Sequence, residues 1–245
     1  MTRKSARGVP FDRLAIVLVS TRNPLNIGAA ARAMSNFAFS DLRTVNPFEL
    51  AFREAKSAVG AANVLAGTRV YRSVGEAVTD SSLVVGTTAG RNRQLEHELK
   101  SLPEGVPLIR SGLRSGRVAL LFGSEKRGLS NEDLSYCHWL MRVPTVESSP
   151  SMNLGQAVAV CLYELSRAAT SNEHASHKSV ANAAENERFA SVLLDALRTS
   201  GYAKADTKFF EKNVRQLVRR FSLSSDDAHT VLGMLRQMRW KMDKG

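Results

Sequence analysis

Residues 118–133 read Val-Ala-Leu-Leu-Phe-Gly-Ser-Glu-Lys-Arg-Gly-Leu-Ser-Asn-Glu-Asp. Five apolar residues in a row, without alternation, are what a strand buried on both faces requires. The strand runs straight into a loop in which Gly123 and Gly128 flank Glu125, Lys126 and Arg127. Ser130 then begins a helix, with Asp133 at the capping-box position. The loop also suits a plain strand-to-helix turn, but three charges at a strand terminus are easier to explain as ligand contacts.

Working outward, short apolar runs recur at 14–19, 42–45, 83–85 and 139–143, with helix-like stretches at 27–37, 73–78 and 154–169. Strands alternating with helices predict an α/β domain built on a mainly parallel sheet. In such a sheet ligands gather at the carboxyl ends of the strands. Two further segments at strand ends carry unusual chemistry. Asn23-Pro-Leu-Asn-Ile-Gly-Ala-Ala-Ala-Arg-Ala-Met follows the first strand. Asn26 is read as the helix cap, the alanines allow close approach, and Arg32 projects from the second turn, as a surface or salt-bridge arginine or as a phosphate clamp. Val143-Pro-Thr-Val-Glu-Ser-Ser-Pro-Ser-Met-Asn-Leu-Gly-Gln leaves the strand at 139–143 and enters a long apolar helix at Asn153, whose free backbone N–H groups suit a polar or anionic ligand. Gly86-Thr-Thr-Ala-Gly90 is a weaker fourth segment, small enough for a flat ligand to lie against the backbone.

Several function classes lose support. The first strand is followed by Ser-Thr-Arg-Asn-Pro rather than GxGxxG, and no GxxxxGK[ST], HExxH or GxSxG occurs. With two cysteines, Cys137 and Cys161, and no CxxC, the chain is expected to lack disulfides and structural metal. No run of about 18 apolar residues exists, and the start is too short and polar for a signal peptide, so a cytoplasmic protein is expected.

The chain of 245 residues carries a formal net charge of +11, which favours a polyanionic partner. Both ends are basic for their length, with 13 basic against 9 acidic side chains in 171–245. The organisation expected is a basic tail at 1–12, an α/β domain at 13–167, a linker at 168–187 and a helical extension at 188–245. Helices are expected at 186–200, 207–221 and 225–242. On a helical wheel Lys204, Lys208, Lys212, Arg215 and Arg219 fall on one side of the middle helix, opposite its apolar half. Such a stripe suits phosphate contact or the solvated face of a packing helix, and the charge surplus favours RNA.

In order, Asn-Ile-Gly-Ala-Ala-Ala-Arg-Ala-Met, Leu-Leu-Phe-Gly-Ser-Glu-Lys-Arg-Gly-Leu-Ser and the 143–160 segment resemble the three signature motifs of the SPOUT superfamily of RNA 2′-O-ribose methyltransferases, the TrmH family. The motifs span residues 26–160 and look most like the TrmJ branch of tRNA methyltransferases. The resemblance implies a trefoil knot at the end of the α/β domain, one of the exceptions to the unknotted rule. It further implies a homodimer with each active site completed across the interface, and S-adenosylmethionine as cofactor. Mapped here, the cofactor would be held by Thr87, Thr88, Ala89, Gly123, Glu125, Gly128, Leu129, Val143, Ser151, Met152, Asn153 and Leu154. Asn26, Arg32, Glu125, Ser151 and Asn153 would serve catalysis, and Arg22, Arg32, Lys208, Lys212, Arg215 and Arg219 the RNA. A neutral guanidine is costly near pH 7, so Arg32 is read as orienting phosphate and stabilising the alkoxide, not as the base. The reaction expected is methylation of nucleotide 32 in the tRNA anticodon loop, with a ribosomal RNA target or a non-catalytic RNA-binding protein as alternatives.

Overall fold

The computed structural model describes residues 10–47, 60–89, 97–167, 181–202 and 207–243. Seven parallel-paired strands form one sheet: β1 (Leu14–Val19), β2 (Asp41–Val45), β3 (Arg69–Tyr71), β4 (Leu83–Thr87), β5 (Leu99–Ser101), β6 (Val118–Phe122) and β7 (Trp139–Arg142). Their order across the sheet is β3-β2-β1-β6-β4-β7-β5. The continuous apolar runs become the central strands because every residue of β1 and β6 is buried. Register is set by apolar pairs such as Ile16 with Leu42, Leu18 with Phe122 and Val85 with Leu120. Among the described strands, β3 and β5 are absent from the sequence expectation. Both are three-residue sheet-edge strands, Arg-Val-Tyr and Leu-Lys-Ser, too short and polar to show periodicity.

Helices α1 (Pro24–Asn36), α4 (Leu102–Ser115) and α6 (Leu154–Ser166) share a core with one face of the sheet. Helices α3 (Val74–Val78) and α5 (Asn131–Ser135) pack on the other, and the short α2 (Ala62–Ala66) lies beside α1 and β2. The predicted capping box of α5 is present, Ser130 and Asp133 exchanging bonds of 2.8 and 3.1 Å. Helix α1 begins earlier than expected. Its cap is Asn23, whose Oδ1 accepts from Leu25 N at 2.9 Å with Pro24 at the first helical position. Asn26, read as the cap, is instead a buried residue of the first turn. In the middle of β2, Arg43 is 1% exposed and forks onto Asp41, the first residue of the strand, and Asp80 at 2.6–2.9 Å. This ion cluster ties the amino end of the sheet together, away from the loops at its other end.

The extension comprises α7 (Ala183–Thr199), α8 (Lys208–Arg220) and α9 (Ser225–Asp243). The expected linker at 168–187 is overrun by α7, because Asn182 and Glu185 form a capping box that starts the helix at Ala183. Residues 168–180 and Lys204 lie outside the described residues. The extension is docked on the α/β domain: Ala183 N donates to Ser81 O at 2.5 Å and Ala184 N to Thr79 O at 3.0 Å. Among the described residues no helix is long and apolar enough to cross a membrane.

Candidate active site

The loops that leave β1, β4, β6 and β7 emerge at one edge of the sheet, because parallel strands all end there. Those after β4, β6 and β7, with the first turn of α1 that follows β1, enclose a cleft of about 410 Å³. All twelve residues mapped as cofactor contacts line it: Thr87, Thr88 and Ala89 after β4; Gly123, Glu125, Gly128 and Leu129 after β6; Val143, Ser151, Met152, Asn153 and Leu154 after β7. Asn26 of α1 also lines it. Phe122, Ser124, Lys126, Arg127, Leu134, Met141, Pro150 and Ala157 complete the wall. Lys126 and Arg127, with Glu125, are the three charges read from sequence as ligand contacts, whereas Phe122, Leu134, Met141 and Ala157 lie outside the loops and carry no sequence signal.

The β6 loop closes on itself through Gly128 N to Ser124 O, 2.8 Å. Gly128 has φ +66°, a conformation favouring glycine. A Cβ on Gly123 would lie 2.0 Å from the Gly128 carbonyl carbon, so the backbone doubles back where a side chain has no room. The turn presents Glu125 to the first helix. Asn26 Nδ2 donates to Glu125 Oε1 at 2.8 Å, and the N–H groups of Asn23 and Arg22 reach the same carboxylate at 3.2 and 3.4 Å. Partial burial pushes the Glu125 carboxyl upward, but these bonds, led by Asn26, outweigh it and hold the group below the usual glutamate value. Glu125 is therefore an anchored, ionised brace.

From the other side Asn153 completes the chain. Its Oδ1 caps α6, accepting from Gly155 N at 2.9 Å and Gln156 N at 3.4 Å, while Nδ2 donates to Asn26 Oδ1 at 2.8 Å. Glu125, Asn26 and Asn153 thus join the three motif segments by side-chain hydrogen bonds. The approach of α1 to α6 that permits this is tight: a Cβ on Gly155 would sit 2.5 Å from Ala29 Cβ.

The family model for SpoU rRNA methylases matches residues 13–163, which hold the whole sheet and every cleft loop. The chain belongs to the SpoU rRNA methylase family. The tRNA (cytidine/uridine-2′-O-)-methyltransferase TrmJ of Sodalis glossinidius is 33% identical over 233 residues, 92% of this chain and 91% of that protein. A crystal structure of TrmJ from Z. mobilis ZM4 matches with TM-score 0.78 and 31% identity, covering 91% of this chain and 98% of that one. A structure described as giving insights into the 2-OH methylation of C/U34 on tRNA matches with TM-score 0.50 and 28% identity over 63% of this chain and 94% of that one. Against two other curated relatives the alignment spans only 63% and 61% of their length.

Not every residue expected at the site gathers there. Arg32 is exposed on α1 and is absent from the cleft wall, as is exposed Arg22, which contributes only its backbone N–H, the longest of the three bonds to Glu125. The basic stripe is broken. Arg219 is 1% exposed, with its Cζ 5.4 Å from the Tyr136 ring centroid, so it is not an RNA contact. Arg215 is 18% exposed and ion-paired to Glu132 and Glu187 at 3.0 and 2.9 Å, which removes it from the solvated face as well. The physical reason is that α8 packs on two sides at once, against α7 and against α5. Lys208 is exposed and Lys212 half-buried, so only these two described members of the stripe remain candidates for RNA.

Proposed function

We propose that this chain transfers a methyl group from S-adenosylmethionine to a ribose 2′-hydroxyl of tRNA. The observation that carries the reading is the hydrogen-bonded chain Glu125–Asn26–Asn153, which fastens two loops and the first turn of α1, from distant parts of the sequence, around one cleft. The cleft suits the cofactor on its own terms. At about 410 Å³ it has the size of a small-molecule pocket. Its Gly123–Gly128 turn packs backbone on backbone at Gly123, while nothing lies within 4 Å of a Cβ built on Gly128, which leaves the backbone there open to a ligand.

When bound, S-adenosylmethionine supplies an activated methyl group on its sulfonium. The residues of the chain do the rest. Thr87, Thr88, Gly128 and Leu129 would hold the cofactor against the strand ends, and Met141 and Leu154 would exclude water. Ser151 and Asn153, at the mouth, would orient the ribose. Arg32 lies outside the cleft of its own chain, so it would serve the cleft of a second copy in a homodimer, orienting the phosphate and stabilising the developing alkoxide. Lys208 and Lys212 would contact the tRNA backbone further out, in a cytoplasmic enzyme. The knot expected of the family fold would place the 143–153 loop against the β6 loop.

Nucleotide 32 is the target proposed. A second reading, nucleotide 34, is favoured by the likeness to the structure concerned with C/U34 methylation, and a third, ribosomal RNA, by the family description. One assay separates them: labelled methyl transfer to total RNA, fractionation by size, then mapping of the modified nucleotide. Label in tRNA at position 32 is expected. Label at 34 or in ribosomal RNA overturns the target, and absence of label overturns the enzyme.

A further inference from the structure

The extension is joined to the very element that closes the cleft. Helix α5 has five residues and follows the β6 loop directly. A single helical turn has no stability of its own, so tertiary contacts must set its position. Its first turn is fixed by the Ser130–Asp133 box and its middle by Leu134, which is 4% exposed and lines the cleft. Its far end is held by a residue 80 positions away, Arg215, whose Nη1 donates to Ser135 Oγ and also to Glu132 Oε1 of the first turn, both at 3.0 Å.

The same guanidinium lies 4.7 Å from the ring centroid of Tyr136, which caps α5, and its Nε donates to Glu187 Oε1 of α7 at 2.9 Å. One planar fork therefore engages α5, its cap and the extension simultaneously, which a lysine cannot reproduce. A cation beside the last turn of α5 also complements the helix dipole. The extension grips a second route to the cleft as well, through the Ser81 and Thr79 carbonyls just ahead of β4, the strand that ends at Thr87.

We propose that Arg215 is a positioning residue: by fixing α5 it sets the cleft wall formed by Leu129 and Leu134, and with it the affinity of the cleft for its ligand. Naming that ligand S-adenosylmethionine rests on the function proposed above; the mechanical role of Arg215 does not. The test uses the full chain with Arg215→Ala, Arg215→Lys and Glu132→Gln. Glu132→Gln removes the α5 charge that pairs with Arg215 while leaving contacts within the extension intact, so it guards against a variant that fails to fold. Hydrogen exchange on the cofactor-free proteins is expected to quicken across 123–136 in Arg215→Ala, less in Glu132→Gln, with partial rescue in Arg215→Lys. Calorimetric titration with S-adenosylmethionine is expected to show at least a roughly fivefold weaker dissociation constant for Arg215→Ala, the lower end of typical coupling between sites. Faster exchange confined to 183–220 would overturn the proposal, as would unchanged cofactor affinity together with weakened tRNA binding. If the unaltered protein binds no S-adenosylmethionine, the functional reading falls while the exchange measurement still decides the role of Arg215.

Discussion

Asn153 Nδ2 meets Asn26 Oδ1 at 2.8 Å, so the residue that caps α6 is fastened to the first turn of α1. Asn26 is 5% exposed and uses both ends of its amide, one toward Asn153 and one toward Glu125. A side chain that accepts and donates at once can be replaced by neither an acid nor an apolar residue without stranding a partner.

Asn26→Ala is therefore expected to cost about 1–3 kcal/mol of stability, as for other buried polar groups left unpaired. The Glu125 carboxyl loses its strongest side-chain donor and should titrate higher than in the unaltered protein. Denaturant unfolding and carboxyl NMR titration check the two halves separately. An unmoved Glu125 titration would show that the backbone N–H groups of Arg22 and Asn23 suffice.

Arg32 is exposed and outside the cleft, so Arg32→Ala should abolish methyl transfer while S-adenosylmethionine affinity changes by less than about twofold, within ordinary surface-mutation effects. Turnover and calorimetry on one preparation decide it. Mixing Arg32→Ala with a cofactor-site variant should restore part of the activity if the arginine serves a second copy.

At Gly123 an added methyl lands 2.0 Å from backbone carbon and 2.1 Å from the Leu129 nitrogen. Backbone yields less readily than a side chain, so Gly123→Ala should cost about 1–3 kcal/mol or more and eliminate cofactor binding. Gly233→Ala in α9 is the control. Nothing lies within 4 Å of its added methyl, and the gain in helix propensity should make it neutral or stabilising by up to about 1 kcal/mol. Thermal melts of both variants make the comparison.

Lys208→Ala combined with Lys212→Ala should raise the tRNA dissociation constant and flatten its salt dependence, by about 0.9 in slope for each phosphate no longer neutralised. Binding measured at several salt concentrations reads this directly. Unchanged slope would return both lysines to a purely solvated role.

His138 accepts a hydrogen bond from Val84 N at 3.1 Å through Nδ1, between α5 and β7. Burial, reinforced by the Arg219 charge, pushes its imidazole down to about 3 from an ordinary 6.5. The unfolded chain then binds a proton that the folded chain refuses. Stability should fall as pH drops from 6.5 toward 3, by at most about 1.4 kcal/mol per pH unit for this group. His138→Gln should flatten that limb of a pH–stability profile.

The cleft is readable from sequence because each of its loops ends a run of consecutive apolar residues, and a break in such a run locates the carboxyl end of a buried strand. What the sequence obscures has particular causes. Helix α4 carries Pro103, Gly105, Pro107 and Gly112, which read as a turn-rich segment, yet its Leu102, Val106, Ile109 and Leu113 are all buried. A start of α1 at Asn26 overlooks Asn23-Pro24, which is itself a cap-and-first-position pattern. On α8 the wheel separates apolar from basic residues correctly, but Phe209 is 65% exposed while Arg219 is 1% exposed. A wheel shows which side is basic; it does not show that a second domain will cover that side, and Tyr136, the aromatic surface that receives the arginines, is far away in the chain.

Gly155 and Ala29 constrain one another across the α1–α6 interface. A methyl at 155 would lie 2.5 Å from Ala29 Cβ, more than about 1 Å inside the normal carbon–carbon separation. The helices would have to part, and the bond between Asn153 and Asn26 has little length to give. Enlargement at 155 is tolerable only if 29 shrinks in compensation. Positions 29 and 155 are thereby bound to a common history, able to drift as a pair but not singly, although neither side chain takes part in any chemistry.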